Sequence, residues 1–142
     1  MATTRSGNSL NAVHRFVLWV SRNKLGWSIS GMPAIELTTI GRKTGEKRSS
    51  MLTSPITLGD NLVIVASKGG SDQHPAWFLN LSANPNVGVA RGGRPAEPMM
   101  ARILSAGERD ILWPQITAKH PNYGGYQHKT SREIPLIVLE PR

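Results

Sequence analysis

The chain has 142 residues, and 17 Lys and Arg against 9 Asp and Glu give it a formal net charge of +8. This length suits one domain with one hydrophobic core, and the absence of cysteine excludes disulfides, thiolate metal ligands and cysteine nucleophiles. The positive charge favours an anionic partner, which could be nucleic acid, acidic lipid or a phosphorylated small molecule.

The N-terminal part of the chain predicts a tail followed by an amphipathic helix. Residues 1–8 are small and polar, and we expect them to be mobile ahead of a single domain at residues 9–142. From Asn11 to Lys24, apolar residues recur at helical spacing and basic residues take the other faces. This helix either docks on the domain, covers a site or touches the anionic inner face of the cell membrane. No apolar run is long enough for a membrane span or a secretory signal, so we expect a soluble, cytoplasmic protein with at most peripheral membrane contact.

The rest of the chain consists of short β-branched runs, turns and two helical segments. The runs predict strands at residues 35–40, 49–57, 62–66, 87–90, 99–104 and 134–139. One helix should begin at Pro75 and stop before Pro85. Another should follow the capping-box pair Ser105 and Glu108 and be kinked or divided at Pro114. Because regular βαβ alternation is absent, we predict an α+β domain built on a small, mainly antiparallel barrel with packed helices.

The densest basic cluster, Gly41 to Arg48, lies on the predicted turn between the first two strands. Its glycines allow backbone N–H groups to converge, and its arginines and lysines can hold phosphate oxygens. It is not a Walker A loop, because the required glycine spacing is absent and no helix follows the strand. The cluster therefore predicts a phosphate clamp, with a solvated hairpin tip as the alternative.

A second cluster, Ala66 to Gly70, follows a compact apolar strand. Its small residues would let a flat ring lie against the backbone, and Ser67 and Lys68 could donate hydrogen bonds to that ring. The alternative is a glycine-rich surface loop. Since neighbouring strands of one sheet can bring the two clusters together, we expect a single groove with a phosphate end and a ring end.

A third group, Tyr123, Tyr126, Gln127 and Arg132, follows the predicted helix break. The glycines between the two tyrosines favour a flexible lid that presents phenol hydroxyls to a substrate, and packing against the core is the alternative. The histidines show no metal-ligand spacing, and neither Gly-x-Ser-x-Gly nor Gly-x-Gly-x-x-Gly is present. Zinc, hydrolytic and Rossmann sites are therefore disfavoured.

Three motifs in register resemble the deazaflavin-dependent nitroreductase family of actinobacteria. They are Thr38 to Gly45, Ala66 to Pro85 and Tyr123 to Pro135, within a likeness that runs from about Ile35 to Pro141. The resemblance implies a split β-barrel, similar to FMN-binding barrels, that binds reduced coenzyme F420 and needs no metal. It also implies hydride transfer to an electron-poor acceptor such as a nitroaromatic, a quinone or an unsaturated lactone or enone. The coenzyme's phosphodiester and oligoglutamate tail agree with a basic groove.

The resemblance assigns site residues by their positions in this sequence. Phosphate binding falls on Arg42, Lys43 and Arg48, ring contact on Ala66, Ser67 and Lys68, and support of the cofactor loop on Trp77 and Asn80. Two tyrosines of the family's acceptor pocket correspond here to Thr53 and His120, so we expect a less aromatic pocket. Tyr126, Tyr123 or Ser67 would donate the hydrogen bond or proton to the acceptor, with His120 as a pH-sensitive substitute.

Two other functions fit parts of the sequence. One is a split barrel that binds ordinary flavin or haem, and the other is a non-enzymatic barrel that binds single-stranded nucleic acid. The few aromatic residues give no evident stacking face, so we expect no nucleic-acid partner. The expected partner is a small-molecule electron acceptor, and the expected oligomeric state is a monomer or a weak homodimer.

Overall fold

Eight strands form one curled antiparallel sheet in the residues that the structure describes, which are 28–29 and 32–142 of a computed structural model. The strands are β1 Ser28–Ile29, β2 Met32–Ile40, β3 Lys47–Thr53, β4 Ile56–Leu58, β5 Asn61–Val65, β6 Asn86–Arg91, β7 Glu97–Ile103 and β8 Leu136–Pro141. The helices are α1 Ala76–Ala83, α2 Ala106–Lys119 and α3 Pro121–His128, and a 3-10 turn spans Lys68–Gly70.

Strand β2 pairs with three other strands of the described sheet, β1, β3 and β6. The strand order is β1-β2-β6-β7-β8-β5-β4, and β3 also pairs with β2. β2 is 9 residues long and pairs with β3 from Ala34 to Ile40 and with β6 from Ile35 to Thr38. Every pairing in the described sheet is antiparallel. The predicted α+β split barrel is therefore confirmed.

Two hydrophobic clusters lie on the two faces of β5. Leu62 and Ile64 pack in one cluster with α1, and Val63 and Val65 pack in the other with α2 and α3. Successive side chains of a strand point to opposite faces, so a strand that is covered on both faces needs a continuous apolar run. This explains the compact run of Leu, Val and Ile in β5. The strand leads directly into the Ala66 to Gly70 cluster, which is thereby fixed to the core.

The predicted helix boundaries are largely confirmed. α1 follows Pro75 directly and ends at Ala83, and the capping box before α2 is formed. α2 is not divided at Pro114, because it continues to Lys119. The division comes instead at His120, whose backbone leaves the helical region at φ −132° and ψ 80°. A residue before proline disfavours helix, and Pro121 follows and begins α3.

Two strand predictions need correction. The run at residues 49–57 is broken, because Ser54 is buried and donates its hydroxyl hydrogen bond to the carbonyl of Val63 at 2.8 Å, while Pro55 has no N–H for a ladder. The last strand begins at Leu136 and extends to Pro141, where residues 134–139 were expected.

The predicted tail at residues 1–8 and the helix from Asn11 to Lys24 lie outside the described residues, so the domain boundaries stay a prediction. Among residues 28–29 and 32–142, no helix has the length and apolar character that crossing a bilayer would require.

Candidate functional site

A groove of about 840 Å³ lies between the β2–β3 hairpin, the loop after β5, and helices α1 and α3. Ten of the predicted residues line it, namely Arg42, Lys43, Arg48, Thr53, Ser67, Lys68, Trp77, Asn80, Tyr123 and Tyr126, whereas Ala66, His120, Gln127 and Arg132 do not. The two sequence clusters share one cavity, as expected, and the tyrosine pair lines it too. The curl of the sheet brings the clusters together, since β5 is not a neighbour of β2 or β3 in the strand order.

One end of the groove is basic and is fixed by Asn80 on α1. The buried Asn80 side chain accepts hydrogen bonds from the backbone N–H of Arg42 at 3.2 Å and from its Nη1 at 3.0 Å. Its amide nitrogen donates to Thr39 Oγ1 at 3.2 Å, which sets the orientation of the carboxamide. Arg42 is otherwise exposed, so these two hydrogen bonds are what fixes its position before any ligand binds.

The remaining charges at this end are on a tight turn. Gly41 N donates to Glu46 O at 2.7 Å, and a Cβ at Gly41 would lie 3.0 Å from Thr44 Oγ1 and 3.2 Å from Glu46 O. Arg48 forms an exposed ion pair with Glu46 at 3.4 Å. Such an exposed pair is weak and exchanges readily for a stronger anion. The turn therefore presents Arg42, Lys43 and Arg48 to the same end of the groove.

The opposite side of the groove is the loop after β5, which has an unusual backbone. Ser67 is right-handed at φ −82° and ψ −35°, and Lys68, Gly69 and Gly70 follow at φ +45°, +63° and +88°. Lys68 is the described non-glycine residue with positive φ, a conformation that is strained for a residue with a Cβ. A right-handed residue followed by a left-handed one makes successive N–H groups converge into a nest that binds anionic or carbonyl oxygens.

Arg132 does not line the groove and binds backbone carbonyls of this loop, a role that the sequence did not indicate. Its guanidinium donates to the carbonyl oxygens of Ser71 at 2.7 Å, Ser67 at 2.9 Å and Ala66 at 3.2 Å, and lies 3.1 Å from His74 Nδ1. The sequence leaves a lid and packing against the core as alternatives for the group that contains Arg132. The structure shows packing, with Arg132 as a backbone clamp, and the available signal is only its position just before the last strand.

The two tyrosines lie on a helix and not on a flexible lid. Tyr123 and Tyr126 are both in α3, with ring centroids 6.0 Å apart and edge to face. α3 packs closely on α2, since a Cβ at Gly124 would lie 3.7 Å from Thr117. Gln127 is also structural, because its side chain bonds Arg109, Ile134 and Arg132. Of the two alternatives for this segment, packing against the core is confirmed and the flexible lid is not.

The two tyrosine hydroxyls have different surroundings. Tyr123 is buried, and its hydroxyl lies 3.4 Å from Thr53 Oγ1 and 3.7 Å from Met32 Sδ. Burial raises the pKa of Tyr123, so its phenol stays protonated. Tyr126 is only partly buried, and its hydroxyl bonds to none of the described residues.

Ala66 and His120 do not line the groove. Ala66 is fully buried, with its N–H donating to Pro135 O at 3.0 Å and its carbonyl bound by Arg132. His120 lies at the junction of α2 and α3, and its ring centroid is 6.3 Å from that of Tyr123. Met32, Met51 and Asn122 do line the groove without having been predicted, because isolated apolar and amide residues form no motif.

The groove therefore combines a cationic end with an end that carries N–H donors and hydroxyls. The described residues contain no group of His, Asp and Glu that could hold a metal ion. Such a groove is suited to an elongated ligand with an anionic arm and a flat polar ring.

Comparison with known proteins agrees with the kind of ligand that suits this groove. The model of the family named F420H(2)-dependent quinone reductase matches residues 13–141. The chain belongs to the F420H(2)-dependent quinone reductase family. It is an oxidoreductase of that family, and the resemblance to deazaflavin-dependent reductases is confirmed. An F420H(2)-dependent quinone reductase of Mycobacterium tuberculosis is 37% identical over 142 residues, 96% of this chain and 93% of the relative.

Solved structures agree with this family membership. A structure described as an F420-H2 dependent reductase, FDR-A, has a TM-score of 0.66 and 38% identity, over 76% of this chain and 94% of that chain. A structure described as a domain-swapped dimer has a TM-score of 0.68 and 31% identity, over 94% of this chain and 100% of that chain. The haem storage protein HutZ of Vibrio cholerae has a TM-score of 0.55 over 89% of this chain and 88% of that chain, but only 12% identity, so it shows the fold alone.

Proposed function

We propose that this chain binds reduced coenzyme F420 in the groove and reduces a small electron-poor acceptor, with quinones as the first class to test. One observation carries the proposal. The fixed cation Arg42 and the N–H nest that begins at Ser67 belong to the same cavity of about 840 Å³. Family membership supplies the identity of the ligand that such a pair of sites would hold.

The residues present fit the coenzyme. Its phosphodiester requires cations at one end, and Arg42, Lys43 and Arg48 are there, with Arg42 already oriented by Asn80. Its flat ring requires a close approach to backbone, which the Ser67 to Gly69 segment offers. Bound F420 supplies the hydride, so the protein has to provide binding, orientation and a hydrogen-bond donor.

The basic end should provide most of the binding energy. An arginine fork can bind two phosphate oxygens at once, and Lys43 adds a mobile point charge. Trp77 lies on the groove wall, where its indole can cover apolar parts of a ligand. The binding energy should therefore depend on salt concentration.

The acceptor would lie near Thr53 and the tyrosine pair. Met32 and Met51 make this part of the groove apolar, and the hydroxyls of Tyr126 and Ser67 are free among the described residues to donate to a carbonyl oxygen. As negative charge develops on a reduced carbonyl, such a donor stabilises it or transfers a proton. A flat quinone has the required shape and polarity. Nitroaromatics and unsaturated lactones meet the same requirements and form the comparison set.

Two further expectations belong to this proposal. We expect a cytoplasmic location, and any peripheral membrane contact would depend on the helix predicted from Asn11 to Lys24, which lies outside the described residues. The structural relative described as a domain-swapped dimer makes a homodimer the alternative to a monomer. Vesicle flotation and the mass in solution would test these two expectations separately.

The test of cofactor binding is a fluorescence titration of the purified protein with F420. We expect saturable binding, and we expect the double variant Arg42→Ala, Lys43→Ala to weaken it by about tenfold or more, because each charged hydrogen bond contributes about 1.5–3 kcal/mol. The matched control is Arg94→Ala, Lys119→Ala, which removes the same charge from exposed residues outside the groove. Equal losses in both variants would show only a general electrostatic effect and would contradict a clamp.

Parallel titrations separate the rival functions. Binding of flavin mononucleotide or haemin with no binding of F420 would assign the groove to the other split-barrel chemistries. Binding of single-stranded nucleic acid with a steep salt dependence would assign it to the basic-barrel function. Turnover of F420H2 with a soluble quinone, a nitroaromatic and an unsaturated lactone would then rank the acceptors.

A further inference from the structure

The Arg132 guanidinium contacts the loop after β5 near its start and near its end. It bonds the carbonyl oxygens of Ala66, Ser67 and Ser71, and it reaches His74 Nδ1 at 3.1 Å. Only arginine has enough donors in a fixed fork for such a set of acceptors. Because a guanidinium cannot accept a hydrogen bond, His74 Nδ1 must be the acceptor and must carry no proton.

These contacts determine where the N–H groups of the loop point. In a trans peptide the C=O and the following N–H lie in one plane and point in opposite directions, and the described residues have no cis peptide. When Arg132 binds the carbonyl of Ala66, the N–H of Ser67 is directed the other way. The carbonyl of Ser67 has the same effect on the N–H of Lys68. Ser67 and Lys68, whose N–H groups are directed in this way, both line the groove, as does Gly69.

The loop needs such a clamp because its backbone is unfavourable by itself. Lys68 has a side chain and yet takes φ +45°, and Gly69 and Gly70 follow at φ +63° and +88°. A residue with a Cβ leaves the left-handed region when nothing holds it there. The loop's own bonds are short-range, from Gly70 N to Ser67 O at 2.9 Å and from Ser71 N to Lys68 O at 3.1 Å.

The clamp itself is anchored to the rest of the protein. Gln127 Nε2 on α3 donates to the carbonyl of Arg132 at 2.7 Å, and the N–H of Arg132 donates to Thr130 Oγ1 at 3.2 Å. Thr130 in turn donates to Asp72 Oδ1 at 2.7 Å, on the same loop that Arg132 binds. Arg132 therefore connects the tyrosine helix to the loop.

We propose that Arg132, with neutral His74 as its acceptor, is the positioning residue that directs the N–H groups of Ser67 and Lys68 into the groove. Its effect on coenzyme binding rests on the proposed function, whereas its effect on the loop does not. Arg132 does not line the groove, so it acts through the loop and not by touching the ligand.

The experiment compares Arg132→Lys and Arg132→Gln with wild type. The first keeps the charge and removes the fork, so a long-range loss of charge cannot explain its effect. The matched control is Arg91→Lys, which alters another half-buried arginine, on β6, that pairs with Glu97 at 3.5 Å and shares no described partner with Arg132 or its loop. Thermal unfolding identifies variants of equal stability.

The first readout is hydrogen exchange of the Gly70 and Ser71 amides in the free protein. We expect Arg132→Lys to accelerate their exchange at least tenfold and Arg91→Lys to leave it within about twofold. If exchange in the loop is unchanged in both Arg132 variants, the proposal is overturned. This readout needs no coenzyme, so it decides the loop claim even if F420 fails to bind wild type and the proposed function falls.

The second readout is a split between kinetic constants. Arg132→Lys should raise the KM for F420H2 about tenfold, with the KM for the quinone within about twofold, because the loop faces the coenzyme. A merely structural role would lower the amount of folded enzyme and leave both constants unchanged. His74→Asn keeps the three carbonyl bonds of Arg132 and should give a smaller change in the same direction. Faster loop exchange with no change in F420 affinity would overturn the positioning role.

Discussion

Asn80 Oδ1 lies 3.2 Å from the backbone nitrogen of Arg42 and 3.0 Å from its Nη1, so one buried oxygen holds both the main chain and the side chain of the same residue. Two residues that are 38 positions apart in sequence thus set the basic end of the groove. Asn80 should affect ligand binding through Arg42 and not through a separate contact.

This relationship predicts a non-additive double-mutant cycle for F420 affinity. Asn80→Ala should weaken binding by about tenfold, since a hydrogen bond to a charged group contributes about 1.5–3 kcal/mol. In an Arg42→Ala background it should have almost no further effect. Asn84→Ala is the control at the end of the same helix, outside the groove. Additive losses from Arg42→Ala and Asn80→Ala would mean that Asn80 contacts the ligand directly.

The different surroundings of the two tyrosine hydroxyls predict different effects of Tyr126→Phe and Tyr123→Phe. Tyr126→Phe should lower kcat with a quinone by about tenfold or more, because its hydroxyl bonds to none of the described residues and can donate to the acceptor. Tyr123→Phe should have a smaller effect on kcat, because its hydroxyl lies 3.4 Å from Thr53 Oγ1 and is buried. Unchanged turnover of Tyr126→Phe on every acceptor would remove this residue from the reaction and leave Ser67 as the donor.

The elements that the sequence predicted correctly are those with a local signal. β5 has a continuous apolar run, α1 is bounded by prolines on both sides, and α2 has a capping box. Each signal acts within a few residues of the chain. The clusters Gly41 to Arg48 and Ala66 to Gly70 also have a local signal, because glycine and basic residues mark a turn whatever its distant partners are, whereas Trp77 and Asn80 are assigned only by the resemblance.

The features that the sequence did not reveal have a different origin. The two glycines between Tyr123 and Tyr126 leave a lid open beside packing and give no sign of a helix, but contacts with α2 keep that segment helical despite the low helix propensity of glycine. The role of Arg132 depends on carbonyl groups 61 and 65 positions away in sequence, at Ser71 and Ser67. Every residue has a backbone carbonyl, so the residue types at the bound positions do not show that an arginine side chain binds there. No pattern in the sequence therefore reveals this contact.

The close contact between the 3-10 turn and α3 predicts a position-specific cost for adding a methyl group. A Cβ at Gly70 would lie 2.8 Å from Tyr126 O and 3.0 Å from Lys129 Cβ, at φ +88°. Gly70→Ala should lower the free energy of unfolding by about 2–4 kcal/mol, from left-handed strain together with overpacking. Gly69→Ala is the matched control, with φ +63° and nothing within 4 Å of its Cβ, and should cost only about 1 kcal/mol. Equal costs in urea unfolding would contradict the packing argument.

The contact between Arg132 and His74 predicts a dependence of stability on pH. Burial, and then the charge of Arg132, lower the pKa of His74 below its ordinary value of 6.5. Between that value and the lower folded pKa, the unfolded chain binds a proton that the native protein does not. The free energy of unfolding therefore falls as pH decreases through this window and is fully recovered above pH 6.5.

The measurement is urea unfolding across the pH range just below 6.5, for wild type, His74→Asn and His128→Asn. The charged groups that act on the pair are Arg132 itself and Asp72, and the neighbouring α1 contributes the uncharged Phe78 ring at 4.7 Å from His74. His74→Asn should flatten the slope, whereas His128→Asn, at the exposed end of α3, should keep it. Loop exchange at Gly70 should accelerate over the same range in wild type, because protonated His74 can no longer accept from Arg132 and repels it. A wild-type slope that persists in His74→Asn would assign the titration to another group and remove His74 from the clamp.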